Sequence, residues 1–277
     1  MYVCSRYFLR EILMPIITLT SDWGSSDYYT AAVKGAILSL MPDATIVDVS
    51  HDIEPFNITQ AGFILRNTIH CFPEGTVHII AVDDIESEDK PHVVVKAFGQ
   101  YFISTDNGVF GFIFGHDYDE ARYLDVPQDT SFFTFSARDR FAKVAVMLAQ
   151  GQPLSSVGAL RPNLNIAGSF QPTTTENTIE GIVIYIDSYE NVITNITREL
   201  FESVRKGRPF NIVVKGNFDP ITTISESYDE VPDLDPVALF GTHGYLELAL
   251  NHAKMASLWG LDDRSSIQVV FLKKDEK

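Results

Sequence analysis

Cysteine is scarce: Cys4 and Cys71 are the only two in 277 residues. Two thiols cannot build a disulfide framework or a four-cysteine zinc site, so a reducing compartment and a cytoplasmic protein are expected. Long apolar runs are also missing. No stretch approaches the roughly 18 residues that span a bilayer, and no membrane partner is expected. Basic residues are in deficit, 21 against 37 acidic ones, which leaves a formal charge of −16. That balance argues against nucleic acid as a partner, because phosphate affinity comes from clustered Lys and Arg. It suits small-molecule or cationic ligands better, although much of the surplus serves solubility.

Familiar catalytic signatures are absent as well. No GxxxxGK[ST] loop, GxGxxG fingerprint, GxSxG elbow or HExxH pair occurs, which weakens the ATPase, dehydrogenase, serine-hydrolase and zinc-protease readings together. The run DDIESEDK holds five carboxylates within seven residues but lacks the spacing and the glycine of a calcium loop. No metal site is expected, and most of these acids read as solvated; Asp83 is the one placed to face a cleft.

What is present is enough apolar material for a core: 45% hydrophobic against 21% charged residues. The first thirteen residues, MYVCSRYFLREIL, are interrupted by Arg6, Arg10 and Glu11 and do not make a targeting peptide. They read as a leader ahead of a natural start at Met14, or else as a short helical arm. From there strand-like and helix-like segments alternate: strands near 16–20, 45–49, 76–82, 92–98 and 100–104, and helices near 29–41, 57–70 and 139–150. Alternation of this kind predicts an α/β domain with a mostly parallel sheet flanked by helices, over residues 14–160. Residues 161–178 are rich in Pro, Gly, Ser, Thr and Asn and read as a linker. Short strands near 181–186, 191–196, 210–215, 221–224, 237–240, 245–250 and 267–272, with helices near 198–205 and 252–258, predict a small all-β barrel domain over 179–277.

Ligands of open α/β sheets collect at the carboxyl ends of strands, so polar residues just after strands count most. Asp22 follows the first strand. It reads as a ribose-hydroxyl acceptor or as a helix cap, with Asp27 better placed for the cap. Asp48 and His51, in VDVSHDIEP, read as an acid–base pair or as ties for the following loop. The second reading is favoured because no nucleophile lies nearby in sequence.

The run ITLTSDWGSSDYYTAAVKGAILSLMPDATIVDVSHDIEP, continuing to Asp83, resembles the amino-terminal half of the S-adenosyl-L-methionine hydroxide adenosyltransferases. These enzymes are relatives of fluorinating and chlorinating enzymes that attack the same substrate. STDNGVF at 104–110, FSARDRFA at 135–142, IDSYENVITNI at 186–196 and GTHGYLELALN at 241–251 extend the resemblance from about Pro15 to about Leu272. It implies an α/β domain joined to a small β-barrel, a homotrimer, and hydrolysis of S-adenosyl-L-methionine to adenosine and methionine without a cofactor.

Carried over by position, Asp22 corresponds to the aspartate on the ribose hydroxyls and Phe56 to an aromatic beside the substrate. Asp187 corresponds to the aspartate near the methionine amino group, Tyr189 and Asn191 to the adenine contacts, and Thr242 and His243 to the stretch that meets the methionine carboxylate. At the reaction centre Asp83 matches the family aspartate. Lys90 stands at the arginine and Ser136 at the histidine of the water-activating set, while Ala137 stands where halogenating relatives place a serine. Lys lacks the planar fork of Arg. Three outcomes follow from that change: a hydrolase with a rearranged centre, a binding protein with little turnover, or an enzyme with another nucleophile or nucleoside.

Overall fold

The computed structural model describes residues 16–128, 133–166, 171–214 and 219–273. The leader therefore lies outside the described residues. The chain separates into two compact units, residues 1–167 and 168–277.

The first unit is built on six strands: β1 (Ile16–Ser21), β2 (Thr45–Ser50), β3 (Val77–Ala81), β4 (His92–Ala97), β5 (Gln100–Thr105) and β6 (Glu120–Tyr123). They lie in the order β2-β1-β3-β5-β4-β6. The β2–β1, β1–β3 and β3–β5 pairs are parallel, while β4 runs antiparallel to both neighbours. The β4–β5 reversal turns at Gly99, whose φ of 72° suits a residue without Cβ. Side chains alternate across the sheet. Val77, Ile79 and Ala81 of β3 join one core with Val33 and Ile37 of α1 (Tyr29–Leu40) and Val144, Ala145 and Leu148 of α4 (Ala142–Ala149). Ile80 and Val82 enter the other, with Ala61 and Leu65 of α2 (Ile58–Arg66) and Phe110 of α3 (Val109–Ile113). Strands buried on both faces are what a parallel sheet between helical layers requires.

Three local expectations are corrected. The helix expected to run to His70 stops at Arg66, and the chain continues through a tight 3-10 turn at Ile69–Cys71. Asp27 does not cap α1: Tyr28 occupies that position, with no side-chain cap. α4 is preceded by a π-helical turn, Ala137–Phe141, where a plain helix start was expected. The sequence reading contained neither α3 nor β6. The run GVFGFIFG is apolar with interspersed glycine, which fits a buried strand as well as a short helix.

A buried polar chain crosses this sheet. His78 Nδ1 lies 2.7 Å from Thr18 Oγ1, and Nε2 lies 3.0 Å from Gln100 Oε1. Gln100 Nε2 in turn donates to the carbonyls of Ile69 and Phe72 at 3.0 and 2.8 Å. Burial pushes His78 down to about 4, so the ring is neutral in the folded protein, while the unfolded chain takes up a proton near 6.5. A depressed pKa contributes stability that is complete above about 6.5 and is lost as pH falls toward 4. The loss amounts to roughly 3 kcal/mol. Urea midpoints measured between pH 7 and 4 are expected to fall more steeply for the native protein than for His78→Gln. Parallel curves would show that His78 carries no such linkage.

The second unit is a curled antiparallel sheet in the order β10-β13-β8-β9-β12-β11, with β7 on β8. Its strands are β7 (Thr173–Thr174), β8 (Thr178–Ile186), β9 (Val192–Thr197), β10 (Phe210–Val214), β11 (Pro236–Phe240), β12 (Tyr245–Leu250) and β13 (Ser266–Phe271). The strand expected over 221–224 is reduced to a bridge. Ile221 and Ile212 exchange backbone hydrogen bonds at 2.8 and 3.0 Å, and Ser225 N donates to Ala238 O at 2.8 Å, so this segment links β10 to β11 across the open side of the sheet. α5 (Arg198–Arg205) has the expected boundaries for a local reason. Thr197 Oγ1 accepts the Leu200 N–H at 3.1 Å, and Lys206 ends the helix with a left-handed φ of 48°. Phe201 on this helix meets Phe210, Phe240 and Phe271 in the core. α6 (Met255–Trp259) is shorter than expected.

Within the stretch 161–178, Arg161 and Asn165 bind Asp106 of the first unit at 2.9 and 2.8 Å, and Thr173–Thr174 pairs with β8 of the second. Among the described residues, no helix is long and apolar enough to cross a membrane.

Candidate active site

In the first unit the site grows from the ends of β1 and β3. Asp22 leaves β1 and takes two backbone donors on Oδ2: Phe56 N at 2.9 Å and Asp83 N at 3.4 Å. Both donors come from left-handed residues, Phe56 with φ 68° and Asp83 with φ 47°. Non-glycine residues in that region cost about 1–3 kcal/mol each unless the surroundings over-determine them, and such strain clusters at functional sites. Here the surroundings do so. Asn107 Nδ2 holds the Asp83 carbonyl at 3.0 Å, and Asp22 holds its N–H. An ionised carboxylate offers about four acceptor positions. Asp22 spends two on the backbone and keeps two for a ligand.

Lys90 Nζ lies 3.4 Å from Asp83 Oδ2, with the lysine side chain 49% and the aspartate side chain 29% exposed. This is a loose, hydrated pair. Burial, reinforced by the charges of Asp22 and Asp83, pushes the neighbouring Asp84 carboxyl up to about 6. Behind the loop, His92 Nε2 lies 2.9 Å from the Asp84 carbonyl, and Nδ1 lies 3.0 Å from Arg140 Nη1. A donor at Nε2 and an acceptor at Nδ1 describe a neutral imidazole, and burial accordingly pushes the pKa of His92 down. Arg140 also binds Glu86 at 2.6 Å. The π-helical turn that follows Ser136 is thereby tied to the acidic loop. Phe135 precedes Ser136 and carries the Arg138 guanidinium 5.1 Å above its ring.

The structure thus brings Asp22, Phe56, Asp83 and Lys90 together, and links the turn carrying Ser136 to their loop through Arg140. Sequence reading missed Asp84, Asn107, His92 and Arg140. Asn107 and Arg140 were visible inside STDNGVF and FSARDRFA, but only their long-range partners give them roles.

In the second unit a cavity of about 840 Å³ is lined by Asp187, Tyr189, Asn191, Tyr228, His252 and Lys254, among others. Asp187 organises its own turn. Oδ1 accepts the N–H of Tyr189 and of Asn191 at 2.9 and 2.8 Å, and Oδ2 accepts Asn191 Nδ2 at 3.1 Å. The last bond orients the Asn191 amide. Glu190, left-handed with φ 64°, is fixed by Lys254 Nζ and Ser257 N at 2.8 and 3.0 Å.

Thr242 and His243 are not among the residues lining this cavity. His243 Nε2 lies 3.1 Å from Glu247 Oε2, and Nδ1 accepts the Tyr245 N–H at 3.1 Å. Both ring nitrogens are engaged within the unit. In this conformation the ring has no N–H directed to an incoming carboxylate. Gly241 permits the arrangement, since a Cβ there would stand 2.5 Å from His243 Nε2. The other oxygen of buried Glu247 receives the hydroxyl of Tyr228 at 2.5 Å, and burial, reinforced by this hydrogen bond, pushes the tyrosine pKa up.

These features define an α/β protein with a carboxylate site at its strand ends and a second, all-β unit with a cavity lined by polar and aromatic side chains. The chain belongs to the SAM hydroxide adenosyltransferase family: the N-terminal domain of that family matches residues 17–158 and the C-terminal domain matches residues 181–268. It is 27% identical to an (R)-S-adenosyl-L-methionine hydrolase of Methanocaldococcus jannaschii, over 95% of this chain and 99% of that protein. It is 29% identical to a fluorinase of Actinopolyspora mzabensis, over 92% and 97%. A solved structure of an uncharacterized conserved protein from Thermotoga maritima superposes with a TM-score of 0.82 at 26% identity, covering 92% of this chain and 99% of that one.

Proposed function

We propose that the protein hydrolyses S-adenosyl-L-methionine to adenosine and methionine by attack of water or hydroxide on ribose C5′. The observation that carries this reading is Lys90 Nζ at 3.4 Å from Asp83 Oδ2. The lysine that stands in for the family arginine still reaches the aspartate that orients water. In the reaction the O–C5′ bond forms as the C5′–S bond breaks, and the bonding pair leaves on sulfur. The sulfonium departs as a neutral thioether, so no acid is required and no cofactor is called for. The water proton passes to Asp83 or to solvent. Alignment and desolvation of the nucleophile are then the protein's main tasks.

In this reading Asp22 holds the ribose hydroxyls, Phe56 flanks the substrate, Asp187 faces the methionine ammonium, and Tyr189 and Asn191 take the adenine. Thr242 is the nearer candidate for the methionine carboxylate, because the His243 ring is engaged with Glu247. Ser136 helps to place the water. A homotrimer and a cytoplasmic location belong to the same reading. A second reading, binding with little turnover, draws on Ser136, which offers no imidazole where the family set has one.

Incubation of the purified protein with S-adenosyl-L-methionine is expected to yield adenosine and methionine in equal amounts by chromatography. Binding without adenosine above the enzyme-free level would favour the second reading.

A further inference from the structure

The pair Asp48 and His51 plays no part in the site described above, yet its contacts converge on the turn that carries Asp22. Ser21 ends β1, and its Oγ lies 2.7 Å from His51 Nδ1 in a buried contact. His51 Nε2 is buried and stands 3.1 Å from Asp48 Oδ1, a close contact without hydrogen-bond alignment, and Asp48 Oδ2 receives Lys34 Nζ at 2.6 Å. The His51 carbonyl accepts the Gly24 N–H at 2.7 Å, and the Trp23 ring lies nearly parallel to the imidazole at 6.5 Å. The His51 side chain therefore bonds Ser21 and lies alongside Trp23, and its backbone bonds Gly24. Asp22, between them, directs its carboxylate to the N–H groups of Phe56 and Asp83 instead.

A serine, a histidine and an aspartate in series invite a nucleophile reading, but Ser21 is only 1% exposed, so no substrate reaches its Oγ. The array holds geometry. Its outer end is anchored by Lys34 on α1, and its inner end holds Ser21, the residue before Asp22, while the His51 backbone carbonyl holds Gly24 on the other side.

We infer that His51 is the positioning residue for Asp22, setting the direction of its carboxylate and with it the discrimination of a ribose that bears free 2′ and 3′ hydroxyls. This rests on the proposed role of Asp22 as the ribose acceptor. It goes further by assigning that role's precision to a side chain that touches no substrate.

The test is calorimetric binding of adenosine and of 2′,3′-dideoxyadenosine to the full chain, as wild type, His51→Ala, His51→Asn and Ser21→Ala. The wild type is expected to prefer adenosine by about tenfold or more, the worth of one well-placed charged hydrogen bond. His51→Ala is expected to reduce that preference to within about threefold while leaving dideoxyadenosine affinity unchanged. His51→Asn keeps a polar group near the Nδ1 position and should restore most of the preference. If His51→Ala does not fold, Ser21→Ala removes the same hydrogen bond by deleting one oxygen and is expected to lower the preference likewise. Full preference retained in either folded variant, or equal loss of both ligands, overturns the positioning role alone. A wild type that does not distinguish the two nucleosides overturns the reading of Asp22 and this inference with it.

Discussion

Asp83→Asn is expected to lower kcat for S-adenosyl-L-methionine by about 10²–10⁴-fold, the usual cost of losing a positioned acid or base, with little change in KM. The substitution isolates the charge. Asparagine tolerates the left-handed backbone that Asp83 adopts with φ 47°, and the Asn107 and Asp22 contacts involve the backbone of residue 83, not its side chain. The lost pairing with Lys90 is largely exposed and contributes at most about 1 kcal/mol, so the melting temperature should move by only a few degrees. The same change removes the smaller of the two carboxylate charges that raise Asp84, whose pKa should fall only slightly because burial and the Asp22 charge still hold it up. Steady-state kinetics with a parallel melting curve checks both halves. An unchanged kcat would mean that water is oriented elsewhere.

Asp22→Ala is expected to reduce kcat/KM by about 10²–10³-fold, chiefly through KM, because hydrogen bonds to a charged group are worth about 1.5–3 kcal/mol each and two ribose hydroxyls are served. The variant also releases the N–H groups of Phe56 and Asp83, both held in left-handed conformations, so a smaller fall in kcat should accompany the rise in KM. Asp22→Asn separates the two effects. Its amide oxygen can still accept the two backbone donors, while the NH2 that replaces the other oxygen offers the ribose no acceptor. Kinetics of both variants against S-adenosyl-L-methionine checks the argument, and a kcat/KM within about threefold of wild type for Asp22→Ala would remove Asp22 from the site.

Much of the architecture was readable where its cause is local. The buried run IITLTS followed by Asp22 marks a central strand and its ligand end, and Thr197 with Arg198–Arg205 writes a capped helix into eight residues. The site was readable only in part, because its decisive contacts join residues far apart in the chain. Asp22 meets the backbone of Asp83, 61 positions on, and Arg140 meets Glu86, 54 positions back. No periodicity announces such pairs. Asp27 failed as a cap because the helix begins one residue too far along for it, behind Tyr28. His243 sits where a carboxylate donor was expected, but buried Glu247, four residues on, engages the ring. The motif VDVSHDIEP showed that Asp48 and His51 belong together. Only the fold shows that Ser21 completes the array and that Asp22 lies beside it.

The most direct test of the central claim is turnover of S-adenosyl-L-methionine in ¹⁸O-labelled water, with the products weighed by mass spectrometry. Attack of water at C5′ predicts one ¹⁸O in the adenosine, on the 5′ oxygen, and none in an equimolar amount of methionine. Adenosine without label, label in the amino-acid product, or no adenosine above the enzyme-free rate despite measurable binding would contradict the account.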